Sequence, residues 1–224
     1  MTILDHFTFI ALAVLAVAQA RPLPEELKRM SATTLYRAAL ITGLAMGGGI
    51  LLWWRVSERP WTLIGLDPSP PAAEHLLYGL AWAGLLAVLF TLGLRTRAAA
   101  WLTPFYAKYR FLMPASRREL AFAWVVSVSA GFWEELAYRA FLVFYLSAFL
   151  GEAWAVLLSS LIFGLTHGYQ GWRGIIGTAL AGALLAAVYL ATGSLLLVMW
   201  MHATYDIATF SLGYRLLKKS PPPA

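Results

Sequence analysis

The sequence predicts an all-α polytopic membrane protein, a bundle of about seven transmembrane helices with eight as the alternative count. Three observations predict it. The 224 residues are 60% hydrophobic and only 12% charged, where soluble domains run near ~45–50% apolar and ~25% charged. Apolar runs of roughly 20 residues, the length that crosses ~30 Å of hydrocarbon, recur along the chain between short polar connections. Ionisable residues nearly vanish between Leu120 and Tyr214, where only Glu134, Glu135, Arg139, Glu152, His167, Arg173, His202 and Asp206 remain.

Taken in order, Phe7–Ala20 with Ile3 and Leu4 makes a first span. The polar connection after it holds Arg21, Pro22, Pro24, Glu25, Glu26, Lys28 and Arg29. Thr34–Trp54 is the second span, with Gly47-Gly48-Gly49 expected to allow close helix approach and Trp53-Trp54 expected at a membrane interface. Glu58–Pro71 has four prolines and cannot be one continuous helix. Its Trp61, Leu63, Ile64 and Leu66 suggest a segment lying along the membrane surface. Ala73–Leu94 is the third span. Arg95–Arg118 follows as a basic interfacial loop, with Arg95, Arg97, Lys108, Arg110, Arg117 and Arg118 around Trp101, Phe105, Tyr106 and Tyr109. That loop is either an ordinary interfacial connection or a docking surface for an anionic or membrane-anchored substrate. Glu119–Leu150 exceeds a straight crossing, so it is a long tilted helix broken near Ser129-Ala130-Gly131 or a helix pair. Ala153–His167, Gly174–Ala191 and Leu195–Leu217 complete the set.

Residues 1–117 thus form N-terminal spans and the basic loop, 118–217 a core, and 218–224 a tail ending Ser220-Pro221-Pro222-Pro223-Ala224, all within one membrane domain. With the central segment as one crossing, fourteen basic residues fall on one side and only Arg55 and Arg59 opposite. The split favours seven crossings and a cytoplasmic C-terminus.

The net charge of +6 does not indicate nucleic acid, because the basic residues sit in loops between apolar runs, where they meet lipid headgroups. There is no cysteine, which excludes disulfides, thiolate zinc sites and a cysteine nucleophile. Ala18-Gln19-Ala20 mimics a signal-peptide cleavage site, but Asp5 and His6 precede the apolar run with no Lys or Arg, so the first span is read as retained. No internal repeat is evident, and the sequence carries no signal for an oligomeric state.

Three short patterns place chemistry inside hydrocarbon. Charges there are costly, so an intramembrane ionisable residue is a functional candidate. In Glu134-Glu135-Leu136-Ala137-Tyr138-Arg139, Glu135 and Arg139 are four apart on one helix face and can pair. Glu134 points about 100° away and faces something else. A structural ion pair explains one carboxylate and leaves the second unexplained. Phe163 and His167 share a face, as do His202 and Asp206. Taken singly, His167 reads as an interfacial residue and His202–Asp206 as a stabilising hydrogen bond. Tyr138, Tyr169, Gln170 and Tyr205 are either site-lining or ordinary packing residues.

A carboxylate desolvated in a membrane is a competent general base. A histidine can hold a water, and another can donate to an oxyanion. The set supports amide hydrolysis without serine or cysteine. Equally, Glu134, His167 and His202 could hold a divalent metal such as zinc. There is no His-Glu-x-x-His, no Gly-x-Ser-x-Gly and no pair of intramembrane aspartates. A proton-coupled transporter is a further alternative, though without the expected repeat symmetry.

Glu-Glu-x-x-x-Arg, Phe-x-x-x-His and His-x-x-x-Asp on successive hydrophobic helices resemble the CPBP family, the CAAX-protease and bacteriocin-processing proteins that include type II CAAX prenyl endopeptidases. The resemblance covers roughly Arg118–Leu217 and makes that stretch a CPBP-like catalytic core. It implies a glutamate-type intramembrane endopeptidase with its active site inside the bundle. Glu134 and His167 would activate water. Glu135, His202 and Asp206 would form or orient an oxyanion site, with Arg139 fixing Glu135. Asp206 stands where the family commonly has asparagine; an ionised aspartate cannot donate to an oxyanion, so it is protonated or orients His202. The resemblance also leaves metal-free and metal-dependent chemistry open, metal-free being favoured. The implied partners are the lipid bilayer and a membrane-anchored protein or peptide cleaved near its C-terminus. A chain this short with basic loops fits a prokaryotic inner membrane, where a leader peptide or sorting tail is a more plausible substrate than a prenylated one. A non-proteolytic immunity or scaffold protein of the same fold is the other alternative.

Overall fold

Every apolar run becomes a helix, and no strand forms among the described residues, which are 1–21, 24–66, 73–95 and 97–218 of a computed structural model. The elements in order are α1 (Ile3–Gln19), α2 (Glu25–Lys28), α3 (Ala32–Val56), α4 (Ala73–Arg95), α5 (Ala98–Lys108), α6 (Arg117–Glu135), a π-helical segment (Leu136–Leu142), α7 (Val143–Leu150), α8 (Glu152–Leu165), α9 (Trp172–Thr192) and α10 (Leu195–Lys218). Short 3₁₀ turns sit at Trp61–Ile64, Arg110–Leu112 and Gly168–Gln170. The tail from residue 219 on, and residues 67–71 of the proline-rich connection, lie outside the described residues.

The chain is an all-α polytopic membrane protein. Among the described residues, five helices are long and apolar enough to cross a bilayer: α3, α4, the continuous Arg117–Leu150 segment, α9 and α10. The remaining two expected spans are apolar but shorter, 17 residues in α1 and 14 in α8. Large apolar side chains such as Leu80, Leu180 and Val17 point outward, as a lipid-facing surface requires.

The central segment differs from expectation. It runs unbroken for 34 residues, about 51 Å at helical rise. No helix pair forms, and Ser129-Ala130-Gly131 stays α-helical. Gly131 is instead a contact point: a Cβ there would lie 2.8 Å from the Ala203 backbone nitrogen. The irregularity comes at Leu136–Leu142, where all seven residues are buried. A helix surrounded on all sides has no solvent face to relax into, and π-helical turns of this kind recur at functional sites.

The glycines of α3 also act differently. Gly43 and Gly47 meet Trp133, with a Cβ at Gly47 falling 3.0 Å from the Trp133 Cβ, whereas Gly48 and Gly49 face open space. Trp54 is fully buried, and its indole donates to the Pro60 carbonyl at 3.2 Å. Ile64 is likewise fully buried, and the Gly65 carbonyl accepts from Leu195 N at 3.0 Å, so this segment plugs into the bundle beside α10.

Three helices frame the polar cluster. Ser116 caps α6, accepting from Glu119 N at 3.1 Å, while the Glu119 carboxylate accepts from Ala115 N at 2.8 Å. The α6–α10 pair is antiparallel, with Gly131 against Ala203 and the Trp124 indole on Ser211 at 3.0 Å. The α8–α9 pair is also antiparallel, closed by Gly164 against Ile175 and Gly182 against Phe163. Small residues at these crossings let backbones approach where lipid offers no hydrophobic drive to associate.

Candidate active site

Glu135 sits at the last turn of α6, with its side chain fully buried. Its Oε1 is 3.0 Å from Arg139 Nη1 and 2.6 Å from His202 Nδ1. The one-turn spacing makes the first contact, and the α6–α10 crossing makes the second. An ionised carboxylate only accepts, so His202 Nδ1–H donates and Nε2 turns to the other side of the ring. There it faces Glu134 Oε2 at 3.8 Å and Asp206 Oδ2 at 3.7 Å. The adjacent carboxylates therefore diverge along the helix but converge on opposite nitrogens of one imidazole.

Arg139, 1% exposed, is held three ways. It pairs with Glu135, its guanidinium carbon lies 4.2 Å above the Phe163 ring, and its Nη2 passes beside Gly182. A guanidinium stacks on an aromatic face more readily than an ammonium does. Phe163 also packs edge-on to His167 and His202, at centroid distances of 5.0 and 6.0 Å, and lies 5.1 Å from Tyr138. One phenyl ring thus spaces the basic groups of all three motifs.

His167 lies two residues past the end of α8, not within it. Its Nδ1 is 3.1 Å from the Phe163 carbonyl and 3.2 Å from Thr166 Oγ1. A carbonyl can only accept, so Nδ1 carries the proton and Nε2 is left as an acceptor. The Glu134 Oε2 is buried and has no hydrogen-bond partner among the described residues. The cluster therefore contains one carboxylate hydrogen-bonded to His202 and paired with Arg139, and a second whose cationic neighbour is His202 Nε2 across 3.8 Å.

The structure brings Glu134, Glu135, Arg139, His202 and Asp206 into direct contact and joins His167 to them through Phe163. Tyr138 is buried on the Phe163 ring, and Tyr169 stands 5.8 Å from the His167 ring with its hydroxyl accepting from Gln170 Nε2 at 3.0 Å. Tyr205 is 51% exposed and faces outward. Sequence reasoning missed Ser159, whose buried hydroxyl donates to the Tyr138 carbonyl within the π-helical segment, where wide winding disturbs the usual backbone pairing. Two adjacent serines one turn before Phe163 in an apolar helix were the available signal. It also missed Gly182, which makes room for Arg139.

Among the described residues, no group of three His, Asp or Glu side chains is placed to hold a metal ion. Glu134, His167 and His202 are therefore not gathered as a ligand set, and one nitrogen of His202 is already engaged by Glu135.

No curated protein and no solved structure matches the chain. Residues 116–208 match the family model described as Rce1-like, type II CAAX prenyl endopeptidase Rce1-like. Through this stretch, which contains every side chain of the cluster, the chain is similar to the Rce1-like type II CAAX prenyl endopeptidases, a family of membrane proteases.

Proposed function

We propose that this protein is a glutamate-type intramembrane endopeptidase, cleaving near the C-terminus of a membrane-associated protein or peptide. The observation that carries the proposal is the asymmetry of the two carboxylates. Glu135 accepts a hydrogen bond from His202 and pairs with Arg139, while Glu134 accepts no hydrogen bond among the described residues.

Glu134 takes a proton from a water whose other contact is the His167 Nε2 lone pair. The hydroxide attacks the scissile carbonyl carbon and the π bond opens to an oxyanion. His202, protonated at Nε2 and anchored at Nδ1 by Glu135, donates to that oxyanion. Glu134 returns the proton to the departing amine as the C–N bond breaks, leaving a carboxylic acid and an amine. Arg139 holds Glu135 pointed at His202. Asp206, on the Nε2 side, orients the ring. No step in this scheme requires a metal. Basic residues on Arg95–Arg118 and the C-terminal turn of α10 support a cytoplasmic C-terminus in a prokaryotic inner membrane.

The test is cleavage of a membrane-anchored peptide library by purified protein, alongside Glu134→Gln, with and without a strong chelator. Cleavage that survives the chelator and is lost in the variant is expected. Retained turnover in Glu134→Gln would sink the base assignment, and chelator-sensitive turnover restored by one metal would sink the metal-free mechanism.

A further inference from the structure

The α3–α6 seam lies apart from the polar cluster and carries two hollows, one after the other along the two helices. At the start of both helices is a cavity of about 550 Å³ lined by Thr33, Arg37, Ser116, Arg118, Glu119 and Phe122. Glu119 is occupied there: its carboxylate accepts from Ala115 N at 2.8 Å and from the Thr33 hydroxyl at 3.4 Å. Arg37 and Arg118 are both exposed and make no ion pair or hydrogen bond among the described residues. The cavity therefore offers two free guanidiniums.

The second part follows directly along the same two helices. A groove of about 370 Å³ is lined by Leu40, Gly43 and Gly47 on α3 and by Val125, Val128 and Phe132 on α6. The lining positions continue one turn after another from the charged cavity, because the helices run parallel: Thr33 meets Glu119 at one end and Gly47 meets Trp133 at the other. Leu40 to Gly48 spans about 12 Å at helical rise, close to the ~15 Å depth of one leaflet's hydrocarbon. Both helices emerge here from polar connections, so the charged end lies at headgroup level and the apolar end at acyl-chain depth.

We propose that this seam binds one anionic phospholipid of the bilayer, its phosphate between Arg37 and Arg118 and one acyl chain along the α3–α6 groove. Charge complementarity selects the head, and the succession of cavity and groove along the same two helices selects a molecule that is anionic at one end and hydrocarbon at the other. A free phosphate would use only the first part, and a neutral chain only the second. Trp133 walls the deep end of the groove and is the neighbour of Glu134 in sequence, so an occupied seam would steady the helix that carries the base.

The experiment measures retention of dioleoyl phosphatidylglycerol by the purified full chain, by native mass spectrometry, against dioleoyl phosphatidylcholine and inorganic phosphate. Two variants divide the site. Arg37→Gln/Arg118→Gln removes the head contacts from exposed positions. Gly48→Leu fills the groove at a position with nothing within 4 Å of an added Cβ, so the fold has room for it. Each is expected to weaken phosphatidylglycerol retention about tenfold or more, with unchanged helical circular dichroism, while phosphatidylcholine and phosphate fail to compete. Loss in the arginine variant alone, with competition by inorganic phosphate, would make the site a phosphate cavity and overturn the lipid. Loss in Gly48→Leu alone would assign the groove to a neutral chain and overturn the anionic head. Displacement of the lipid by a lipidated peptide would make the seam a substrate subsite and equally overturn the assignment. Unchanged retention in both variants would leave no site on this seam.

Discussion

Among the described residues stand two buried carboxylate–arginine pairs, and they are built to opposite specifications. Asp5 accepts from Arg59 through both oxygens, at 2.7 and 2.6 Å, and also from the Trp53 indole at 3.1 Å and from Thr2 N at 2.6 Å. Every lone-pair direction is used, and the pair locks the start of α1 to the chain beyond α3. Glu135 has one oxygen shared between Arg139 and His202, while its Oε2 has no hydrogen-bond partner among the described residues. Beside it stands a second carboxylate with an uncommitted oxygen. Saturated pairing stabilises a fold; incomplete pairing, which is costly in a low dielectric, persists where the groups serve chemistry.

Breaking each pair should separate the two designs. The largest effect is expected from Glu134→Gln, which keeps the shape and removes the base: turnover falls by roughly 10²–10⁴-fold, with the melting temperature held, read from peptide cleavage and thermal unfolding together. Arg139→Ala strands Glu135 and should cost ~3–5 kcal/mol of stability along with activity. A normally stable Arg139→Ala protein would show that the ion pair does not organise the core. Arg59→Ala should destabilise by about 2–3 kcal/mol, since Arg59 is partly accessible and water can replace some of its bonds. Turnover per folded molecule should stay unchanged, and a selective loss would mean that the α1 clamp reaches the site. Gly182→Ala sets a Cβ 2.9 Å from Phe163 and 3.0 Å from Arg139 Nη2, so about 1–3 kcal/mol of overpacking strain is expected, with a drop in kcat. The smallest change is expected from Asp206→Asn, which keeps a hydrogen-bonding group 3.7 Å from His202; complete inactivity would show that the charge at position 206 is required.

The two pairs also differ in how they could be read. Glu135–Arg139 is local, four residues apart on one helix, and spacing alone predicts it. Asp5–Arg59 joins residues 54 positions apart, and no periodicity links them; Arg59 was legible only as one of two basic residues on the minority side. The same division runs through the fold. Helix positions were legible because hydropathy and length govern them. The roles of Trp54, Ile64 and the α3 glycines were not, because they depend on which helix packs opposite.

The sequence by itself determined the class of molecule and the inventory of the cluster. An apolar chain with a few ionisable residues must fold as membrane helices, and buried charges must find partners. Only the tertiary structure decided which carboxylate is committed. That outcome rests on the α6–α10 crossing at Gly131, on Phe163 as the spacer, and on a π-helical turn that no local pattern announces. Long-range packing places His202 Nδ1 on Glu135 and turns Nε2 toward Glu134, because the close approach of two backbones fixes where a side chain from each can meet.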